Sequence, residues 1–498
     1  MSDGATEGIS RPELSGLREI LVRSGVEAYI VGGCVRDMLL GRPSADIDIA
    51  VRGDAPEVAR SVARKLQGRY VPLDEPNQVA RVVLFEGEER LYLDFSGYQG
   101  SIEDDLARRD FTIDAMALEL GQWAGDDPLV HLIDPFGGRG DLEEKRLRAV
   151  AEGVFKDDAA RLLRAVRLAG ELGLKVDPGT ESLLRRDAGL LGRVPGERVR
   201  EELVRVLVLP KASSSLKHLD RLGLLLVIFP ELVPARGFEQ PGDHFWDVLQ
   251  HSLETVATVE FLLRQAGWEY GTEDALSLVP WSEDLSRHFA TLVARDSDRA
   301  AMLKLAALLH DVAKPATKTV TQDGRWRFLG HAKLGASVAR AALERLRFSG
   351  REVKLVETEV YYHLRPVQMT NGDLPTRRAV YRYFRDTAGA GIDIFFLAMA
   401  DYLATHGPRL DMEEWRGHAR LMAHVLGEGQ RQQAASAPPR LVDGHDMIDT
   451  FGMEPGPQLG LLLGRVREAQ ASGEVNTREE ALEFIRRQLA RPGTKRVK

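Results

Sequence analysis

The stretch Tyr29–Val51, YIVGGCVRDMLLGRPSADIDIAV, constrains this chain more than any other. Tyr29-Ile30-Val31 is a short apolar run of high β-propensity, expected to form a buried strand. Gly32-Gly33 lets the backbone turn tightly and approach a ligand with no Cβ in the way. Cys34 to Leu40 reads as a short helix stopped by Gly41, and the free N–H groups at its start favour a phosphate. Asp46-Ile47-Asp48-Ile49-Ala50-Val51 then alternates, so a strand would turn Ile47, Ile49 and Val51 one way and Asp46 and Asp48 the other. Two carboxylates on one face can share Mg²⁺, which takes oxygen ligands and substrate phosphates. A lone D-x-D is usually the wet face of an edge strand. Beside a phosphate-cradling turn it is the equipment of nucleotidyl transfer, in which one Mg²⁺ lowers the pKa of an attacking hydroxyl and another stabilises the leaving pyrophosphate.

The rest of the chain narrows the setting. Its 498 residues suggest two to four domains, and 44% hydrophobic with 29% charged residues is ordinary globular composition. The single cysteine, Cys34, excludes an internal disulfide, suits a reducing cytoplasm and is expected simply to pack. No apolar run is long enough to span a bilayer; the densest, Leu222 to Val233, carries Pro230 and Glu231 and reads as core. The polar, acidic N-terminus is unlike a signal peptide. These features predict a cytoplasmic protein with no membrane partner. A net charge of -8 argues against coating nucleic acid all over, so any RNA site must be a local basic patch.

Along the chain, Ser15 to Ser24 is expected as a helix before the first strand, and Val58 to Leu66 as an amphipathic helix on the sheet. Arg69 to Val71, Gln78 to Phe85 and Arg90 to Phe95 read as further strands, with Gly87-Glu88 as a hairpin turn. Asp94, in LYLDF, either approaches the metals as a third carboxylate or faces solvent.

GGCVRDMLLG…DIDIAV resembles the signature of the class II tRNA nucleotidyltransferase and poly(A) polymerase family, within the polymerase-β-like superfamily. Arg108-Arg109-Asp110-Phe111-Thr112-Ile113-Asp114-Ala115 resembles the family's R-R-D-F-T-x-N-A motif, which implies Arg109 and Asp110 in holding the triphosphate and the ribose. A guanidinium forks phosphate oxygens and a carboxylate accepts from a ribose hydroxyl, so the residue types suit those roles. Asp114 stands where the family usually has Asn; it can accept hydrogen bonds but not donate them. Asp134 to Leu142 resembles the family's closing turn of the catalytic domain.

Phe155 to Gly170, FKDDAARLLRAVRLAG, reads as one helix with Leu162, Leu163, Val166 and Ala169 on an apolar stripe. Asp158 and Arg161 are then i and i+3, neighbours on another face. A carboxylate accepts from an exocyclic amine and a guanidinium donates to a ring nitrogen. Cytosine and adenine offer that pattern, whereas uracil and guanine offer the reverse. A fixed Asp/Arg pair could thus select C and A without a template; it could equally be a surface salt bridge of little worth. The family's E-D-x-x-R-x-L-R-A-x-R-F pattern, matched from Asp157 to Leu168, implies the first role for Asp158 and Arg161, with Asp157 for Glu and Leu168 for Phe. The same resemblance implies Gly32, Gly33, Arg36 and Arg164 at the substrate site. Glu197-Arg198 resembles the family's next helix start. From Asp157 to Lys217 there are twelve Lys/Arg against nine Asp/Glu, and RNA phosphates are expected there.

From Phe238 onward the chemistry changes. His244 and His251 lie in a helical stretch, and His310-Asp311, His331, His363 and Asp401 follow. Scattered His and Asp on helices can converge on one or two divalent metals, and metal-bound water attacks phosphate esters. The pattern resembles an HD phosphohydrolase domain, which implies His251, His310, Asp311 and Asp401 as ligands of a divalent transition metal, with His331 and His363 serving a second metal or the substrate. Ala434 to Pro439 reads as a linker, Thr477 with Glu480 as a capping box in a helical tail, and Thr494 to Lys498 as a disordered basic end.

The expected fold is α+β. A polymerase-β-like head, a small mixed sheet with helices, spans residues 1–148. A helical neck follows at 149–235, an HD domain at 236–425, a linker at 426–440 and a helical tail at 441–498. The implied activity is template-independent addition of C and A to tRNA 3′ ends from CTP and ATP. A CC-adding or A-adding enzyme, or a poly(A) polymerase, is the narrower alternative, because the chain between Phe95 and Arg108 is short where full CCA-adding relatives often carry a longer flexible loop. An HD phosphohydrolase with a vestigial RNA-binding head is the alternative of another class. The oligomeric state is left open.

Overall fold

The computed structural model describes residues 12–44, 46–86, 89–122, 131–240, 242, 244–369, 374–434 and 440–490. The Gly87-Glu88 turn, the linker after Ala434 and the basic C-terminal end lie outside the described residues. The chain forms two compact units, one of Met1–Leu203 with His218–Ile228, the other of Val204–Lys217 with Phe229–Lys498.

The first unit is built on seven strands: β1 (Ala28–Val31), β2 (Asp46–Arg52), β3 (Arg69–Asp74), β4 (Val79–Glu86), β5 (Glu89–Tyr98), β6 (Ala117–Glu119) and β7 (Leu132–Ile133). They lie in the order β3-β4-β5-β2-β1-β6-β7. β2 pairs with β5 in parallel and the other neighbours are antiparallel, so the sheet is mixed, as expected. β1 is buried along its whole length, which its unbroken apolar run requires. In β2, Ile47, Ile49 and Val51 are buried, while Asp46 is exposed and Asp48 half-buried.

Helix α1 (Pro12–Arg23) precedes β1, α2 (Gly33–Leu39) follows it, and α3 (Ala55–Lys65) turns Ala59, Val62 and Ala63 inward. α3 begins three residues before the expected Val58. The Asp54 side chain accepts from Glu57 N at 2.9 Å and Pro56 fits the first turn, a cap worth about 1 kcal/mol. The stretch read as one helix from Phe155 is two, Val154–Asp157 and Arg161–Leu172. Asp158 is extended (φ -147°, ψ 105°), and its carboxylate accepts from Ala160 N at 3.1 Å. An Asp side chain that bonds the backbone two residues on competes with the helix and ends it.

The second unit is helical. Val248–Leu262, Arg299–Leu309 and Gly391–His406 are apolar on nearly all sides and buried all round. His251 and Asp393 on these helices are buried and Asp401 is half-buried, and an unpartnered buried charge costs several kcal/mol. Those residues therefore have to find one another. The tail helices Gly444–Phe451, Pro457–Ala471 and Arg478–Ala490 close on a core that includes Met447, Leu462, Val466, Phe484 and Ile485. Glu468 from this bundle is buried against Arg378, Arg382 (2.5 Å) and Arg385 (3.4 Å), which joins the tail to the Arg377–Asp386 helix. Among the described residues no single helix is long and apolar enough to cross a membrane.

Candidate active site and metal centre

The turn after β1 brings the first site together. Gly32 has φ 74°, a conformation that favours glycine. A Cβ there would lie 2.5 Å from Arg109 Nη1 and 3.2 Å from Asp48 Oδ2. Only a bare backbone lets Arg109, Asp48 and the turn pack this closely. Burial pushes the Asp48 carboxyl above its ordinary range, Arg109 opposes that, and Asp94 adds to it. A half-buried carboxylate made costly in this way suits a cation. Asp46, on the same face, leaves 65% of its side chain exposed.

The supporting charges form a chain. Asp114 is buried and accepts from Arg36 Nη1 at 2.7 Å, with Arg164 Nη2 at 3.5 Å. Arg164 Nε also meets Asp110 Oδ2 at 2.8 Å. Arg36 is buried beside Gly33 and bonds Asp37 as well, so it braces the turn from below. Asp114 therefore sits where an acceptor is wanted by two guanidiniums, and the usual Asn could offer them only one oxygen. Asp94 is neither free in solvent nor bare: Arg81 forks it at 2.6 and 2.7 Å.

Arg109, Asp110, Asp158, Arg161, Arg164 and Arg198 line one cavity of about 320 Å³. Asp158 and Arg161 share that cavity, though not as neighbours on a helix face. Arg198 donates to both oxygens of Asp158 at 2.9 and 2.7 Å, and Arg161 donates to Arg108 O at 2.9 Å and Val154 O at 3.3 Å. The Asp158 carboxyl is held below its ordinary range; burial works to raise it, but Arg198 and Ala160 N–H outweigh that. With about four lone-pair sites on a carboxylate and three taken, one remains to accept from a ligand.

In the second unit the expected His and Asp residues converge. His251, His310, Asp311 and Asp401 have ligand atoms within 4.8 Å of one another, and Asp311, His331 and His363 form a second such group. Asp311 belongs to both: its Oδ2 lies 3.2 Å from His310 Nε2 and its Oδ1 3.4 Å from His331 Nε2. His310, His331 and His363 each set Nδ1 on a backbone carbonyl, of Ala307, Phe328 and Val360, at 2.7–2.8 Å. That fixes the tautomer with Nε2 free to ligate. Burial alone would drive His310 down, but Asp311 and Asp401 push it up to about 10; at His363 burial and the neighbouring His310 outweigh the same two carboxylates, and it falls to about 4. Neither buried oxygen of Asp311 makes a well-formed hydrogen bond, although Lys314 Nζ stands 2.6 Å from Oδ2. Imidazole nitrogens and carboxylates aimed at shared points fit divalent metals.

Comparison with known proteins bears on both sites. Residues 28–148 match the poly A polymerase head domain, 173–236 the probable RNA and SrmB-binding site of polymerase A, and 248–405 the HD domain. The chain is 35% identical to an A-adding tRNA nucleotidyltransferase of Deinococcus radiodurans, over 92% of this chain and 95% of that one. It is 36% identical to a CC-adding tRNA nucleotidyltransferase of Thermus thermophilus, over 92% and 93%. The chain belongs to the class II tRNA nucleotidyltransferase family, with an HD domain. A Thermotoga maritima CCA-adding enzyme complexed with tRNA shares its fold, at TM-score 0.63 and 22% identity over 98% of each chain.

Three residues of this family member escaped assignment from the sequence. Arg198 lay in the quoted Glu197-Arg198 pair, but only the fold shows that it grips Asp158. Arg81 had no signal beyond a charge on a strand. Lys314, three residues after Asp311, had helical spacing to the His–Asp doublet and could have been found that way.

Proposed function

We propose that the chain adds C and A to the 3′ ends of tRNA from CTP and ATP without a template. The cavity shared by Arg109, Asp110, Asp158, Arg161, Arg164 and Arg198 carries this reading, because residues suited to phosphate, ribose and base line one space beside Asp48. Asp46 and Asp48 would hold Mg²⁺, which when bound acidifies the RNA 3′ hydroxyl and offsets pyrophosphate charge. Arg109 grips the triphosphate beside Gly32, and Arg36 keeps that turn in place through Asp114. Asp110 accepts from the ribose. Asp158, with one acceptor position left, takes the N4 or N6 amine, and Arg161 donates to the neighbouring ring nitrogen. Uracil and guanine would set a donor against Arg161 and an acceptor against Asp158. Incubating the purified protein with tRNA lacking its CCA end, and CTP, ATP or both, tests the reading; no incorporation under any condition refutes it.

A second reading is favoured by a specific observation. After β5 the chain enters a one-turn helix, Ile102–Leu106, capped by Ser101 and Asp104, so β5 is joined to Arg108 by a short, ordered connection. The Deinococcus and Thermus relatives, each named for a partial addition, match 92% of this chain. CC-only or A-only addition is therefore the narrower form of the same activity, and the same assay separates the forms. For the second unit we propose a two-metal phosphohydrolase centre at His251, His310, Asp311 and Asp401, with His331 and His363 on the second ion. We propose the division into head, neck, HD domain and tail as read from the sequence, except that the helix Met412–Ala434 runs through most of the expected 426–440 linker, and the single buried cysteine suits work in the cytoplasm. The intact Asp46, Asp48, Asp158 and Arg161 argue against a vestigial head.

A further inference from the structure

Two side chains beside the metal centre of the second unit have no part in its proposed ligand set. Gln240 and His244 precede the Val248–Leu262 helix, which carries His251. The backbone around them is pinned on several sides. Asp247 Oδ2 accepts from Gly237 N at 3.0 Å, and Phe238 O accepts from Val248 N at 3.1 Å. Thr405 O, one turn beyond Asp401 on the Gly391–His406 helix, accepts from Phe245 N at 3.1 Å. The Phe238 ring lies 6.2 Å from those of Trp326 and Phe328.

Lys314 ties both side chains to the centre. Its Nζ stands 2.6 Å from Asp311 Oδ2, 2.7 Å from Gln240 Oε1 and 3.4 Å from His244 Nε2. The His244 ring also meets the His251 ring edge-on, with centroids 5.8 Å apart. An ammonium has three protons to give and no lone pair, so all three partners face it as acceptors. That fixes two orientations. Gln240 turns its amide oxygen to Lys314 and its NH₂ group elsewhere. His244 presents a bare Nε2 to Lys314, so the proton of the neutral ring sits on Nδ1.

The two donors left over are buried. Neither Gln240 Nε2 nor His244 Nδ1 has a hydrogen-bond partner among the described residues. A buried donor left unmet is costly, and each such group in a folded protein calls for an explanation. Here two of them surround one lysine, and that lysine touches Asp311, the carboxylate common to both metal groups. What satisfies them must bring acceptors only and must belong beside divalent ions. The oxygens of a phosphate group meet both conditions.

We infer that Gln240 and His244 are substrate-binding residues of the HD centre, whose Nε2 and Nδ1 donate to the phosphoryl oxygens of a phosphate monoester. Lys314 orients both and adds its own charge. This rests on the reading of that centre as a phosphohydrolase.

The test uses the full chain loaded with Mn²⁺, inorganic phosphate as the ligand in titration calorimetry, and p-nitrophenyl phosphate as the substrate. H244F keeps a ring but loses the donor. It should weaken phosphate binding and raise the KM about tenfold, the loss expected for one hydrogen bond to a charged group. H244N, which returns an N–H close to the Nδ1 position, should recover most of that loss. Q240E keeps an oxygen toward Lys314 but puts a second oxygen where the donor was, so it should weaken phosphate more than H244F does. Bound Mn²⁺, read by elemental analysis, should match wild type in all three variants, because neither residue is a ligand. Unchanged phosphate affinity in H244F and Q240E means that the donors meet only water, and it overturns the inference. So does a loss of Mn²⁺ in H244F, or a loaded wild type that binds no phosphate. A wild type that binds phosphate, with the expected losses in the variants, but hydrolyses no ester fails the phosphohydrolase reading alone.

Discussion

Replacing Arg198 with Met should blur the choice of nucleotide while leaving the fold almost intact. Arg198 supplies two charged hydrogen bonds to Asp158, at 2.9 and 2.7 Å. Its side chain is 51% exposed and that of Asp158 30%, so solvent screens the pair and its loss costs less than about 1 kcal/mol of stability. Specificity depends on direction, not on that energy. With the fork gone, Asp158 keeps only the Ala160 N–H and its carboxylate can rotate away from the amine of cytosine. A well-aimed polar contact to a base edge discriminates by about 1–3 kcal/mol, so kcat/KM for CTP should fall about tenfold or more while that for UTP changes little. Asp158 is held below its ordinary pKa chiefly through Arg198 and Ala160, so its carboxylate form is secure above that range and lost as pH falls. The acid limb of kcat/KM should move to higher pH in R198M. R198K, which keeps the charge but not the fork, should recover part of the ratio. Single-nucleotide incorporation with CTP and UTP across pH reads all of this. A CTP/UTP ratio within about twofold of wild type in R198M would refute the reasoning, because such a change is about 0.4 kcal/mol against the 1–3 predicted.

Other outcomes follow from the same geometry. D46N and D48N should each abolish nucleotide incorporation and leave the thermal midpoint within a few degrees, measured by circular dichroism. D311N should lower the metal content of the purified protein at both groups, whereas H331A should lower it at one, measured by elemental analysis after dialysis. E468Q should cost about 1 kcal/mol by urea unfolding, because three partly exposed guanidiniums lose the charge of their shared partner but keep an amide oxygen. Burial works to raise the Glu468 carboxyl, but Arg382 and Arg378 outweigh it and hold it below the usual 4.5. Its contribution is therefore full above that value and disappears as pH falls through the folded value, so wild type and E468Q should converge in acid.

What the sequence disclosed was local. The alternation in Asp46–Val51 prescribes a strand with two acids on one face, and the glycine pair prescribes a turn, because period and backbone freedom act within a few residues. The His–Asp doublet was readable for the same reason: a polar pair on an apolar helix must find buried partners. What stayed hidden was long-range or competitive. Nothing near Asp94 tells that a parallel pairing sets it beside Asp48, or that Arg81 would claim it. DDAARLLRAV has helical periodicity throughout, yet Asp158 breaks it by bonding Ala160 N and by meeting Arg198 forty residues later. The periodicity was right for Arg161–Leu172 and silent about the residue that ends the turn before it.

Asp311 standing in two clusters has an electrical corollary. The centre contains four imidazoles but only two carboxylates, Asp311 and Asp401. Two divalent ions seated there would leave an excess of two positive units, which Lys314 would increase. A doubly ionised phosphate monoester would offset two of those units, a singly charged diester one and a neutral ester none. With both ions in place a dianion would leave the pocket nearest to neutral, so product phosphate should be held more tightly there than a diester.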